Sequence, residues 1–171
     1  MTRETPTVPD GLEFMYTRVL DAPRELVYRA WTEPEHLAKW WGPKGFTVMV
    51  CKIDLRPGGT FHYGLKGPDG STMWGRFEYL DIAPPERISY IVSFSDEHGG
   101  VTRHPLSDTW PLETINTVTF DDTGGKTTVL LRSLPIRATE EECRTFAAAH
   151  KGMEGGFGGM LDQLAAYLTE V

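Results

Sequence analysis

The sequence holds two cysteines in 171 residues, Cys51 and Cys143, far apart in the chain. Two isolated thiols build neither a disulfide framework nor a zinc site, so they read as small buried hydrophobes in a reducing cytoplasm. No apolar run approaches the roughly 20 residues needed to span a bilayer, so no membrane partner is expected. Met1 to Gly11 is polar and proline-rich, without a secretory apolar stretch, and reads as a loose arm. Positive charge is scarce: 17 Lys and Arg stand against 24 Asp and Glu, a net charge of −7. A non-specific nucleic-acid binder needs a basic face to displace counterions, and this balance argues against one. Catalytic signatures are missing too. There is no nucleophile elbow, phosphate-binding loop, dinucleotide fingerprint or zinc-binding helix pattern. Neither a metal nor a cofactor is expected.

What is present is an ordinary globular mix, 40% hydrophobic and 24% charged. Its length suits one domain, over 12–171, that buries roughly 70% of the unfolded chain's surface. Phe14 to Leu20 is rich in strand formers. After Asp21-Ala22-Pro23 the period changes, and Leu26, Val27, Ala30 and Trp31 fall at helical spacing. Thr32-Glu33-Pro34-Glu35 has the pattern of a capping box, with Thr32 as cap, restarting a short helix that Gly42-Pro43 ends after Trp40-Trp41. From Phe46 to Thr139 strand-like runs alternate with turn signals. They cover 46–55, 60–65, 72–82, 87–94, 116–120 and 127–134, with Asp121-Asp122-Thr123-Gly124-Gly125 as a hairpin signal. Short connections mean antiparallel neighbours.

From Thr139 the pattern predicts a single long helix. Thr139 and Glu142 form a second capping box. Phe146, His150, Met153, Phe157, Met160, Leu161, Leu164 and Leu168 make one apolar stripe at spacings of three and four. Inside it lies Gly155-Gly156-Phe157-Gly158-Gly159. Each interior glycine costs a helix about 1 kcal/mol relative to alanine, so the run points to a kink or to a close approach of another element or a ligand. A bent sheet cannot seat flush along a straight helix, and the space between them is either filled or left as a pocket. Alternation puts Phe61 and Tyr63, Phe77 and Tyr79, Tyr90 and Phe94, and Phe120 on one face, joined by Met49 and Cys51. Buried tyrosine hydroxyls need partners, which a polar ligand group or water in a pocket would supply.

Several segments together resemble a known family. They are Ala22-Pro23, Trp40-Trp41-Gly42-Pro43, Ile53-Asp54-Leu55-Arg56-Pro57-Gly58-Gly59, Tyr79 to Ile88 through Pro84-Pro85-Glu86-Arg87, and Gly158-Gly159-Met160-Leu161-Asp162-Gln163-Leu164. The chain is similar to the START-like (SRPBCC) superfamily, in the branch resembling the activator of the heat-shock chaperone ATPase. The resemblance runs from about Phe14 to the C-terminus. It implies an α+β helix-grip fold, in which a curved antiparallel sheet grips a long C-terminal helix around a hydrophobic cavity, with two short helices after the first strand. It leaves activity open, since members include lipid carriers, hormone receptors, polyketide aromatase/cyclases and co-chaperones.

Binding of a small hydrophobic or aromatic molecule between sheet and helix is the favoured function. The expected wall is Met49, Phe61, Tyr63, Phe77, Tyr79, Tyr90, Met153 and Phe157, with His150 and the tyrosine hydroxyls setting orientation and Trp41 and Trp110 near the mouth. Two alternatives stay open. One is a cyclase- or dehydratase-like enzyme acting on a carbonyl or polyketide-type compound, with His150 as its acid/base. The other is co-chaperone-like stimulation of a chaperone ATPase. Homodimer formation is likewise left open. His98 and His104 lie beside Asp96, Glu97 and Asp108 in a polar loop with irregular spacing, which reads as solvated surface with Trp110 as a lid. Arg76 and Glu78 read as a solvent-facing pair.

Overall fold

Alternating residues need one wet and one dry face, and short turns force neighbouring strands to run antiparallel. The computed structural model describes residues 11–171, so the expected arm lies, apart from Gly11, outside the described residues. Its elements are β1 (Phe14–Leu20), α1 (Arg24–Thr32), α2 (Pro34–Trp40), β2 (Thr47–Ile53), β3 (Thr60–Lys66), β4 (Thr72–Ala83), β5 (Arg87–Ser95), β6 (Val101–Thr102), β7 (Glu113–Thr123), β8 (Lys126–Ile136), α3 (Glu140–Ala148) and α4 (His150–Leu168). The strands form one antiparallel sheet in the order β1-β8-β7-β5-β4-β3-β2, with β6 pairing β5. The sheet is curved and unclosed, with β1 and β2 as its edges, and the last helix packs on it: an α+β helix-grip fold.

The hairpin signal resolves as a two-residue turn at Gly124 and Gly125, both at positive φ (65° and 88°). A tight turn that follows the twist of its strands requires that conformation at both central positions. The inner face carries the core. Phe61, Phe77, Tyr79, Tyr90 and Phe120 from the sheet meet Leu161 and Leu164 of α4 and the Trp31–Trp40 pair of α1 and α2.

Four expectations are corrected. The expected cap Thr32 is the last residue of α1, and its hydroxyl donates to the Tyr28 carbonyl at 2.8 Å. The cap of α2 is Glu33, with Pro34 as the first helical residue. A proline there needs no N–H partner, which is why the helix restarts without a side-chain cap. The C-terminal helix is two helices, divided at Ala149, where the Ala149 N–H donates to the Phe146 carbonyl at 3.1 Å. The strand expected at 116–120 runs from Glu113 to Thr123, with both extensions paired to β8 and residues 121–123 exposed. Met49 is 42% exposed. The β2–β3 register shifts between Val48 and Val50, so the inward parity passes from Val48 to Cys51 and Met49 turns out.

The capping box at Thr139 and Glu142 is fully formed. The Thr139 hydroxyl accepts from the Glu142 N–H, and the Glu142 carboxylate accepts from the Thr139 N–H at 2.9 Å and from Arg103 at 2.8 Å. These bonds, led by the Thr139 N–H, hold the Glu142 carboxyl below its ordinary value. A depressed carboxylate stabilises the fold above its unfolded pKa and loses that contribution as pH falls through its folded one. Glu142→Gln is therefore expected to lower the unfolding midpoint at pH 7 and to flatten the loss of stability on acidification below about pH 4.5, measured by thermal melts across pH.

Candidate functional site

Two connected hollows lie between the inner sheet face and α4. The first, about 290 Å³, is walled by Trp41, Tyr63, Phe77 and Tyr90, with Met153 and Phe157 of α4 above them. The second, about 220 Å³, continues toward Trp110 and Phe146. Tyr63, Met73, Val92, Asn116, Met153 and Phe157 border both.

Each wall has a local cause. The α2–β2 turn holds Trp41 in a T-shaped cluster with Phe61, Tyr63 and Phe77. That turn is bound to α4 from two sides, by the Gln163 amide donating to the Gly42 carbonyl at 2.7 Å and by Met160 Sδ accepting the Gly42 N–H at 3.5 Å. Gly42 sits at φ 105°, a conformation that disfavours any side chain. Phe77 stacks on Tyr90 with ring centroids 3.9 Å apart. Tyr63 lies over the bare Cα of its cross-strand partner Gly75, where any Cβ would collide with the phenol. On the opposite face Trp74 covers Gly64 in the same way.

The glycine run meets this space at one glycine. α4 is helical straight through it. A Cβ at Gly152, Gly155, Gly156 or Gly159 would meet no heavy atom within 4 Å, and at Gly158 only the Tyr16 hydroxyl at 3.4 Å. Gly156 borders the first hollow. Gly152, Gly155 and Gly156 are exposed, and of these glycines Gly156 alone borders a hollow, where a side chain would find room.

The expected site residues divide accordingly. Trp41, Tyr63, Phe77, Tyr90, Met153 and Phe157 face the hollows, and Trp110 borders the second. Phe61 and Tyr79 are buried in the core behind them, at 0% and 1% exposure, and Met49 faces outward. His150 borders neither hollow. Its Nε2 lies 2.9 Å from the Leu12 carbonyl, and its ring packs edge-on against Phe14 and Phe146, so it ties the start of β1 to α4. A stripe at helical spacing includes flanks as well as a centre, and His150 is on a flank. Its expected place as an orienting or acid/base group in the cavity is corrected on that ground.

Burial pushes the Tyr63 hydroxyl up to about 12, partly offset by the Trp41 indole, and raises Tyr90 and Tyr79 further. All three stay protonated across the physiological range. In the loop that carries Trp110, His104 Nδ1 accepts the Leu106 N–H at 2.9 Å, and burial lowers its pKa. Arg76 and Glu78 are not paired with each other, and Arg76 donates to the Gly99 carbonyl. No three potential ligands gather for a metal among the described residues. None of the described helices is long and apolar enough to cross a membrane.

Sequence reasoning missed Asn116, Ser133 and Thr114, buried polar residues on the inward parity of β7 and β8. The signal was available. Asn116 lies two residues before Val118 and four before Phe120, so it shares their inward face.

Comparison with known proteins follows the same lines. Residues 21–169 match the family described as Activator of Hsp90 ATPase homolog 1-like protein. A protein from Mycobacterium smegmatis is similar at 28% identity and a TM-score of 0.75, over 95% of this chain and 93% of that one. One from Arthrobacter aurescens matches at 28% and 0.75, over 95% and 88%. One from Staphylococcus epidermidis matches at 27% and 0.74, over 99% and 94%. The search of curated proteins gave no match.

Proposed function

This chain belongs to the Activator of Hsp90 ATPase homolog 1-like family of the SRPBCC superfamily, and from that premise we propose that it binds a small, largely apolar molecule in the paired hollows between sheet and α4. One observation carries the reading: an apolar hollow of about 290 Å³ is walled by aromatic and methionine side chains, and Gly156 at its border leaves room that a side chain could fill. A chain folded only for stability would gain about 1 kcal/mol by placing alanine at position 156. Aromatic and methionine walls suit a flat apolar ligand, because a thioether adapts its shape to what it meets.

Binding is favoured over turnover. The lining supplies no histidine, carboxylate or amine, and its tyrosines are held protonated, so no group is poised to move a proton near neutral pH. With both cysteines unpaired, a reducing cytoplasm is the compartment we propose.

Fluorescence titration with N-phenyl-1-naphthylamine tests the reading. Saturable one-to-one binding with a blue-shifted emission is the expected outcome. Native mass spectrometry of protein purified from its host should then show a co-purifying small molecule that the probe displaces. Non-saturating fluorescence together with an unliganded native mass would overturn the proposal.

A further inference from the structure

Four polar side chains cross the apolar interior in a single row. Ser133 lies opposite Asn116, Asn116 opposite Tyr90, and Tyr90 opposite Tyr79 on successive strands. Their exposures are 3%, 6%, 1% and 1%. Burying such groups is costly, and apolar replacements of matching shape are often neutral or stabilising. Folding by itself does not call for this row.

The row has a direction. The Ser133 hydroxyl donates to Asn116 Oδ1 at 2.5 Å. That bond engages the amide oxygen, and Asn116 lies across the strand pair from Tyr90. Tyr90 borders the first hollow, as does Asn116, whose oxygen is already engaged, which leaves the Tyr90 O–H and the Asn116 NH₂ as the polar hydrogens on that wall. On the adjacent wall Tyr63 adds a second phenol, its ring edge-on to Trp41 with centroids 5.6 Å apart. The hollow therefore offers hydrogen-bond donors. It offers no positive charge, since no Lys, Arg or His borders either chamber. A carboxylate placed there would lack a counter-ion and lose its hydration.

We propose that the ligand is an uncharged carbonyl compound with an aromatic or alicyclic body, whose oxygen accepts the Tyr90 hydroxyl proton, while Asn116 and Ser133 act as positioning residues. This rests on the cavity reading above and adds to it the class of the polar group.

Calorimetric titration with three matched probes separates the two. They are 2-acetylnaphthalene, its hydrocarbon counterpart 2-isopropenylnaphthalene, and 2-naphthoate. Wild type should bind the ketone about tenfold more tightly than the hydrocarbon, the value of one good hydrogen bond. Tyr90→Phe should bring the two within about twofold by weakening the ketone alone. The carbonyl stretch of bound ketone should fall in wild type, rise again in Tyr90→Phe, and rise in part in Ser133→Ala, which frees the Asn116 amide. The Ser133→Ala spectrum decides the matter should Tyr90→Phe fail to fold. Equal affinity for ketone and hydrocarbon in wild type would overturn the carbonyl assignment and leave the cavity reading standing. So would a ketone preference that survives Tyr90→Phe, or tightest binding of 2-naphthoate. Failure of all three probes would overturn the cavity reading, and this inference with it.

Discussion

Gly156→Phe is expected to raise the unfolding midpoint while reducing the affinity for N-phenyl-1-naphthylamine more than tenfold. Position 156 is interior to α4, and a Cβ there meets nothing within 4 Å. Phenylalanine is a better helix former than glycine. Its ring also gains about 1 kcal/mol or more by covering apolar wall that is now open, which corresponds to roughly 2–4 °C for a chain of this size. A helical side chain leans back over the preceding turn, here toward Met153, so the ring occupies the space that the probe would use. Gly155→Ala is the control. Gly155 borders neither hollow, so that substitution should stabilise to a similar degree and leave binding intact. Improved stability with unchanged probe affinity in Gly156→Phe would show that the ligand sits elsewhere.

The largest loss of stability should come from Trp40→Ala, at about 3–5 kcal/mol in urea denaturation. Trp40 is 2% exposed and packs edge-on against Trp31 and Trp41, with centroids 5.1 and 5.4 Å away. Its indole N–H donates to the Ala30 carbonyl at 2.9 Å. Ala30 is in the last turn of α1, where carbonyls have no partner within the helix, so the ring both fills the core and closes a helix end. Against a total stability of about 5–15 kcal/mol, the loss is a large share. Trp40→Phe keeps most of the packing and forfeits the hydrogen bond, so it should cost markedly less. A loss below about 1 kcal/mol for Trp40→Ala would mean that the tryptophan cluster relaxes around the hole.

Much of this was readable in order along the chain. Hydrophobic alternation located the major strands, the paired glycines located the β7–β8 hairpin, and Thr139 with Glu142 located the start of α3. Misreadings arose where one local pattern serves two structures. Thr32 and Glu35 have capping-box spacing, yet the proline between them placed the cap one residue later. Met49 and Cys51 share a parity that a single bulge undoes. His150 fits the apolar stripe, yet its nitrogen is engaged by the Leu12 carbonyl, a contact 138 residues away in sequence.

Composition, periodicity and turn chemistry determined an antiparallel sheet, two short helices and a glycine-interrupted apolar helix, because each depends on neighbours a few residues apart. Only the tertiary structure decided that Gly156 would border the hollow, that Ser133, Asn116 and Tyr90 would line up across three strands, and that His150 would turn aside. Those outcomes depend on strand register and on where a helix comes to rest over a curved sheet. Both are set by contacts between residues distant in the chain, and no local pattern encodes them.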